Sequence, residues 1–218
     1  MLTPALRRRV AASGARPLIT HYDGTADTRT ELSATTFANW VDKTANLIAD
    51  LGHDDGEPID VVLAATHPGH WVSLVWIAAA WQRGCPVNTT DTGADLIVVG
   101  PGDDRRAALS VACSLHPLGR GFEVPPADAV DYVEVFAQPD VHDSSVWAQE
   151  DLLDGEALAP VVARDTRLLF TAPNPGADWL LDALVAPVEG EGSSVIAVGY
   201  EPERLIAVAT AEHATLEE

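Results

Sequence analysis

"IDVVLAATHPGHWVSLVWIAAAWQRGCPVNTT", residues 59–90, reads as strand, helix, strand. Asp60–Ala65 and Cys85–Thr89 are short apolar runs rich in β-branched residues. The spacing between them predicts a helix over Pro68–Gln82. Pro68 suits a first helical position, where its missing N–H is not needed. Gly84 suits the left-handed residue past the end, and Pro86 forbids continuation. Trp71, Leu74, Val75, Ala78 and Trp81 form one stripe, while Val72, Trp76, Ile77 and Ala79 fill the other side. A helix apolar all round is buried. Strands this apolar, joined through such a helix, predict an α/β fold of layered parallel-sheet lobes.

Working outward, Thr3 caps an opening helix with Pro4 in its first turn and Gly14 past its end. Pro17–Tyr22 and Thr28–Leu32 flank the turn signal Asp23-Gly24, which predicts a hairpin. Ser33 caps a helix in which Phe37, Trp40, Val41, Thr44, Leu47, Ile48 and Leu51 recur at helical spacing, and Gly52 ends it. Beyond the central unit, Asp95–Gly100 reads as a buried strand. Asp103–Ser114 reads as a helix and Gly119–Ala129 as an irregular crossing. Tyr132–Ala137 reads as an alternating strand and Val146–Leu158 as a helix. Thr166–Ala172 is a strand before the turn Pro173-Asn174-Pro175-Gly176, and Asp178 caps the next helix. Ser194–Gly199 is the last strand and Pro202–His213 the closing helix. The pattern breaks at Pro139–Ser145. The expected domains are therefore 1–140, a first α/β lobe, and 141–218, a partial second lobe packed on it.

Thirty-three acidic against thirteen basic residues give a formal charge of −20. A chain so acidic repels nucleic-acid phosphates and anionic lipid, so neither is an expected partner. Lys43 is its one lysine, a balance that a salt-rich cytoplasm would suit; an ordinary acidic protein from a GC-rich genome is the other reading. No apolar run approaches the ~18 residues of a membrane span. The opening MLTPALRRRVAASG lacks the apolar core of a secretory signal, so a cytoplasmic location is expected. Cys85 and Cys113 sit in apolar contexts and read as buried reduced thiols.

This order of elements resembles the N-terminal part of the adenylate-forming superfamily: acyl-CoA synthetases, peptide-synthetase adenylation domains and luciferases. Tyr22 through Leu51-Gly52, with Glu31-Leu32-Ser33 leading into the helix, is similar to the family's opening. Asp60–Ala65, Pro68–Gly84 and Pro86-Val87-Asn88 follow its next segment. A second block matches at Arg167–Phe170, Ala172-Pro173, Ala186-Pro187-Val188, Val195–Val198, Pro202–Leu205 and Thr215.

Between these blocks the family carries a Ser/Thr/Gly-rich phosphate loop ending in lysine. It offers backbone N–H groups and a cation to a triphosphate. The equivalent stretch here, about Tyr132–Val146, has no glycine and no lysine, and it carries Glu134, Asp140 and Asp143. Asp143-Ser144-Ser145 reads better as a helix cap. The family's nucleotide and magnesium motifs, and its C-terminal domain with a catalytic lysine, have no counterpart in the sequence. Lys43 matches no catalytic position. The resemblance thus implies a truncated relative without catalytic residues or cofactor. It implies a residual ligand pocket, for a small apolar or acyl ligand, in which Asn174 and Trp179 are the candidates; core packing is the other reading of Trp179. Sheet edges and apolar surface left open by truncation make a homodimer the expected assembly. The alternative is an acyl-CoA ligase-like enzyme completed by a partner or using altered chemistry.

Other constellations carry less. His67 and His70 flank a helix start with no third ligand nearby, so no metal site is expected. Gly100-Pro101-Gly102 lacks the third glycine of a dinucleotide loop and runs into Asp103-Asp104, hostile to pyrophosphate. No G-x-S-x-G elbow is present.

Overall fold

The computed structural model describes residues 1–124, 126–143, 150–171 and 176–217. In chain order, helix α1 (Leu2–Ser13) precedes strands β1 (Pro17–Asp23) and β2 (Thr28–Ser33), then α2 (Ala34–Asp50). Next come β3 (Ile59–Asp60), α3 (Leu63–Thr66), α4 (Trp71–Gln82), β4 (Val87–Asn88), β5 (Leu96–Val99), β6 (Leu109–Ala112) and β7 (Val130–Asp131). A 3₁₀ turn over Tyr132–Ala137 leads to β8 (Leu152–Leu153), β9 (Glu156–Ala157) and β10 (Arg167–Phe170). Helix α5 (Ala177–Leu180) runs through a π turn at Leu181–Val185 into α6 (Ala186–Glu189). β11 (Ser193–Val198), α7 (Pro202–Ala211) and β12 (Thr215–Leu216) follow.

The chain divides into two compact units. The larger takes in Asn39–Pro68 and Val72–Leu158. Its seven-stranded sheet has the order β7-β6-β5-β3-β4-β8-β9. Pairing is parallel throughout except for the β8–β9 hairpin. Helix α4 is buried from Trp71 to Gln82, as its all-round apolar sequence requires. Truncating a side chain such as the fully buried Trp76 to alanine costs about 3–5 kcal/mol. Both cysteines are buried and unpaired, and burial pushes the Cys85 thiol up to about 11.

The smaller unit joins Leu2–Ala38, Gly69–Trp71 and Ala159–Glu218. Its sheet runs β12-β10-β11-β1-β2, parallel except for the opening hairpin. Leu169, Val195, Ala197 and Val208 form the core between this sheet and α7. These units differ from the expected lobes 1–140 and 141–218. The reason is the register of β1, whose Ile19–Asp23 pairs with Ser194–Val198. The N-terminal hairpin is thereby a member of the C-terminal sheet.

Several local expectations are corrected. Of Asp60–Ala65 only Asp60 is strand, and Leu63–Thr66 is helical; a short buried apolar run reads the same in either state. Helix α4 starts at Trp71 instead of Pro68, because Gly69 turns the chain at φ +77°. Within the expected helix 103–114, Leu109–Ala112 is a strand beside β5. Asp103 there accepts the Arg105 N–H at 3.0 Å, a local turn that competes with helix. Tyr132–Ala137 is a 3₁₀ turn capped by Asp131, its Tyr132 and Val135 buried three residues apart, as that period demands. In the expected helix 146–158, residues 146–149 lie outside the described residues and 152–157 form the β8–β9 hairpin. The two turn residues Asp154 and Gly155 have φ +48° and +82°, the conformation that favours Asp-Gly between paired strands. Asp178 lies in the first turn of α5, and Gly176 is the cap.

Candidate functional site

In open parallel sheets, ligands bind beyond the carboxyl ends of strands, where strand order reverses. In the larger unit that point lies between β3 and β5. The Asp60 carboxylate ends β3 and is fully buried. It accepts the N–H groups of Thr92, Gly93 and Ala94 at 2.7, 3.1 and 3.1 Å. It also accepts from the Asn88 amide and the Thr92 hydroxyl, both at 2.8 Å. Burial pushes this carboxyl up, but the bonds from Asn88, Thr92 and Ala94 outweigh it and hold it below its ordinary value. A carboxylate holding five donors has no lone pair left for a proton-transfer role; Asp60 fastens the β4–β5 turn.

Across the same crevice, the His67 ring lies against Gly100, where a Cβ would come within 2.5 Å of it. The Gly100 position is thus fixed by close backbone approach, and Gly100–Gly102 is a plain strand-to-loop turn. Burial lowers the His67 pKa, opposed by the Asp103 charge. Asp103 is occupied by Arg105, 2.5 Å away. His70 lies in the smaller unit, its ring 4.7 Å from that of His21. No group of three or more His, Cys, Asp or Glu side chains that could hold a metal occurs among the described residues.

The stretch expected at the place of the phosphate loop is strapped to α2. Lys43 donates to the Gln138 carbonyl, and its ammonium stands 2.8 Å from the Asp140 carboxylate. Asn46 donates to the carbonyls of Pro139 and Val141, each at 3.0 Å. The His142 ring pairs with the Asn46 carbonyl oxygen at 2.7 Å. At the head of the stretch, Tyr132 is buried with its hydroxyl 2.6 Å from that of Thr44. Lys43 is therefore bound to the stretch from outside, and Glu134 and Asp140 are exposed on it. Asp143 is described, but the cap expected at Ser144-Ser145 lies outside the described residues.

In the smaller unit, the pocket candidate Asn174 lies outside the described residues. Trp179 is half-buried on α5, its ring 6.2 Å from Phe170 at 74°. The Arg164 guanidinium covers the same Phe170 at 5.5 Å. The Trp179 indole N–H is buried without an acceptor among the described residues. Trp179 thus packs edge-on against the end of β10, which suits core packing and a pocket wall alike.

One cluster escaped the sequence reading. Glu212, beyond α7, accepts from the Tyr22 hydroxyl at 2.5 Å, Arg29 at 2.8 Å and Arg167 at 2.5 Å. Arg29 also reaches Glu31 at 2.6 Å, and Arg167 reaches Thr20 and Ser193, each at 2.8 Å. Burial works to raise the Glu212 pKa, yet the bonds from Arg29, Tyr22 and Arg167 hold it at about 2. Its members come from β1, β2, β10, β11 and the end of α7, so no local spacing could announce it.

This architecture matches solved structures of acyl-CoA synthetases. Against the acyl-CoA synthetase of Brucella canis the TM-score is 0.72 at 16% identity, covering 97% of this chain and 46% of that one. Against the N-terminal domain of FACL13 from Mycobacterium tuberculosis it is 0.69 at 12% identity, covering 98% and 61%. The fatty acyl-adenylate ligase of L. pneumophila, solved with acyl adenylate and pyrophosphate, gives 0.67 at 12%, covering 98% and 43%. The fold is that of the N-terminal part of the adenylate-forming enzymes. The chain spans between 43% and 61% of the length of these three structures. A TIGR03089 family protein of Mycobacterium tuberculosis is 29% identical over an alignment of 231 residues, covering 94% of this chain and 90% of that protein. No protein-family model matches the chain. Among the described residues, no helix is long and apolar enough to cross a membrane.

Proposed function

We propose that this chain is a non-catalytic member of the adenylate-forming fold, a small-ligand-binding or interaction module that forms no adenylate by itself. The observation that carries this is the stretch at Tyr132–Asp143. It holds a 3₁₀ turn, exposed carboxylates at Glu134 and Asp140, and a segment whose carbonyls are bonded to Lys43 and Asn46. A triphosphate needs free N–H groups and positive charge at such a place. Here it would meet negative charge, and the single lysine is already engaged. The ligand class that suits the fold is a small apolar or acyl molecule, with Asn174 and Trp179 as wall residues. The working assembly is a homodimer in the cytoplasm. The test is ATP–pyrophosphate exchange by the purified chain with a panel of carboxylic acids, alongside direct titration with magnesium-ATP. No exchange and no binding below 1 mM is expected; micromolar ATP affinity overturns the reading. Sedimentation at micromolar concentration tests the dimer, and a monomer there removes it.

A second reading has one observation in its favour. Nearly the whole chain, 97–98%, superposes on enzymes at least one of which was solved with acyl adenylate and pyrophosphate. On that reading the chain supplies half of an acyl-CoA ligase-like enzyme and a partner supplies the nucleotide-holding half. Exchange that appears only on adding a co-purifying protein would select it.

A further inference from the structure

The smaller unit contains a cleft of about 320 Å³ between α1 and the turn after α6. Ala5, Arg8, Arg9 and Ala12 of α1 face it, one helical stripe. The opposite wall is Ala163, Asp165 and Val188–Glu191. Alanines at 5, 12 and 163 leave it open. The floor at Gly190 admits no larger residue, since a Cβ there would stand 2.3 Å from the Arg164 carbonyl oxygen. The cleft lies beside Arg16, Thr166 and Gly192, where β1, β10 and β11 begin. Ligands of parallel sheets ordinarily sit at the other, carboxyl end.

Arg9 is the anomaly. Its side chain is buried, with 3% of the residue exposed. It donates to the carbonyls of Gly190 at 3.2 Å and Gly192 at 3.0 Å. Its Nε–H is buried with no acceptor. Among the described residues no carboxylate lies within ion-pair distance of it; Glu189 is paired with Arg8 at 2.9 Å and Glu191 with Arg16 at 2.5 Å. Buried charges are normally paired. This buried guanidinium on the wall of an open cleft is hydrogen-bonded to two carbonyls and makes no ion pair among the described residues. Burial lowers its pKa; among the charges around it Glu191 opposes this most, Arg16 adds to it and Asp165 opposes it.

We infer that this cleft binds a small zwitterion of amino-acid size, its carboxylate toward Arg9 and its ammonium toward Asp165, the lining charges that make no ion pair among the described residues. A simple anion would find Arg9 but also three carboxylates, Asp165, Glu189 and Glu191. A simple cation would find those carboxylates but also two arginines. A molecule carrying both charges a few ångströms apart meets each wall with the opposite sign. The volume is at the lower limit for small-molecule sites, roughly 300 Å³, and suits a small ligand. The site is independent of the reading above, because it uses neither the phosphate-loop stretch nor Trp179.

The test is calorimetric titration of the intact chain with free α-amino acids, and with acetate and methylamine as single-charge controls. At least one amino acid is expected to bind with Kd below 1 mM, and both controls at least tenfold more weakly. Ala163→Trp, which fills an exposed wall without removing charge, and Asp165→Asn should each weaken binding at least tenfold while leaving the thermal midpoint near that of the parent. Arg9→Gln should abolish binding, but it removes a buried anchor and can disturb folding, so the other two variants decide. Three results overturn the proposal: no amino acid binding below 10 mM, acetate or methylamine binding as tightly as the best amino acid, or unchanged affinity in either Ala163→Trp or Asp165→Asn.

Discussion

The ammonium of Lys43 lies 2.8 Å from the Asp140 carboxylate while donating to the carbonyl of Gln138. Helix α2 thus grips the stretch at 138–142 from outside. Asp140 is 61% exposed, so the ion pair itself contributes little, about 0–1 kcal/mol. The grip is local. Lys43→Met should therefore leave global stability within about 1 kcal/mol of the parent, yet speed amide exchange across 138–142. Hydrogen exchange read by mass spectrometry checks this; unchanged protection there would show that Lys43 does not hold the segment.

Asp60 should be far less tolerant. Its side chain is buried and serves five donors, three of them the successive N–H groups of Thr92, Gly93 and Ala94. Asp60→Ala leaves the buried Ala94 N–H, and the partly buried N–H groups of Thr92 and Gly93, without this acceptor. A buried group so left costs about 1–3 kcal/mol, so a loss of about that size is expected. Asp60→Asn, which keeps one acceptor oxygen, should recover part of it. Urea unfolding of both variants checks the order; a neutral Asp60→Ala would mean that water replaces the carboxylate.

The central β3–α4–β4 unit was legible because its signal is local: apolar runs, an all-round apolar helix, and Gly84 and Pro86 as its stop. The opening hairpin was legible for the same reason, through Asp23-Gly24. Its membership was not, since pairing of β1 with β11 joins residues about 175 positions apart. The β8–β9 hairpin carries the same Asp-Gly signal at 154–155, and the helical spacing of its neighbours obscured it. That Tyr132–Val146 has neither glycine nor lysine is plain in the sequence. The part Lys43 and Asn46 play in strapping that stretch required the fold, because they sit on a helix some 95 residues earlier.

The Glu212 cluster predicts an acid-dependent loss of stability. Its folded pKa, about 2, lies below the ordinary 4.5. A depressed carboxyl contributes stability that is full above about pH 4.5 and lost as pH falls through about 2. The contribution at neutral pH is about 2 kcal/mol after allowance for solvent screening. Glu212→Gln should remove it, so parent and variant stabilities should converge below pH 2 and separate above pH 4.5. Paired unfolding curves over that range check it; a constant difference at every pH would assign the effect to packing alone.

His21 should act in the opposite pH window to an ion-paired histidine. It is buried on β1, its ring 4.7 Å from that of His70. Burial lowers its pKa from 6.5 to about 4, with Asp23 opposing only weakly. The folded chain therefore holds this ring neutral where the unfolded chain protonates it. Stability from this site is full above pH 6.5 and declines as pH falls toward 4, because the unfolded state takes up the proton first. The ring-proton resonances of His21 should titrate near pH 4, well below a free imidazole. His21→Phe should flatten the fall in stability between pH 6.5 and 4, relative to the parent. A His21 titration near 6.5 would mean that water reaches the ring, and the pH slope would then have to come from other groups.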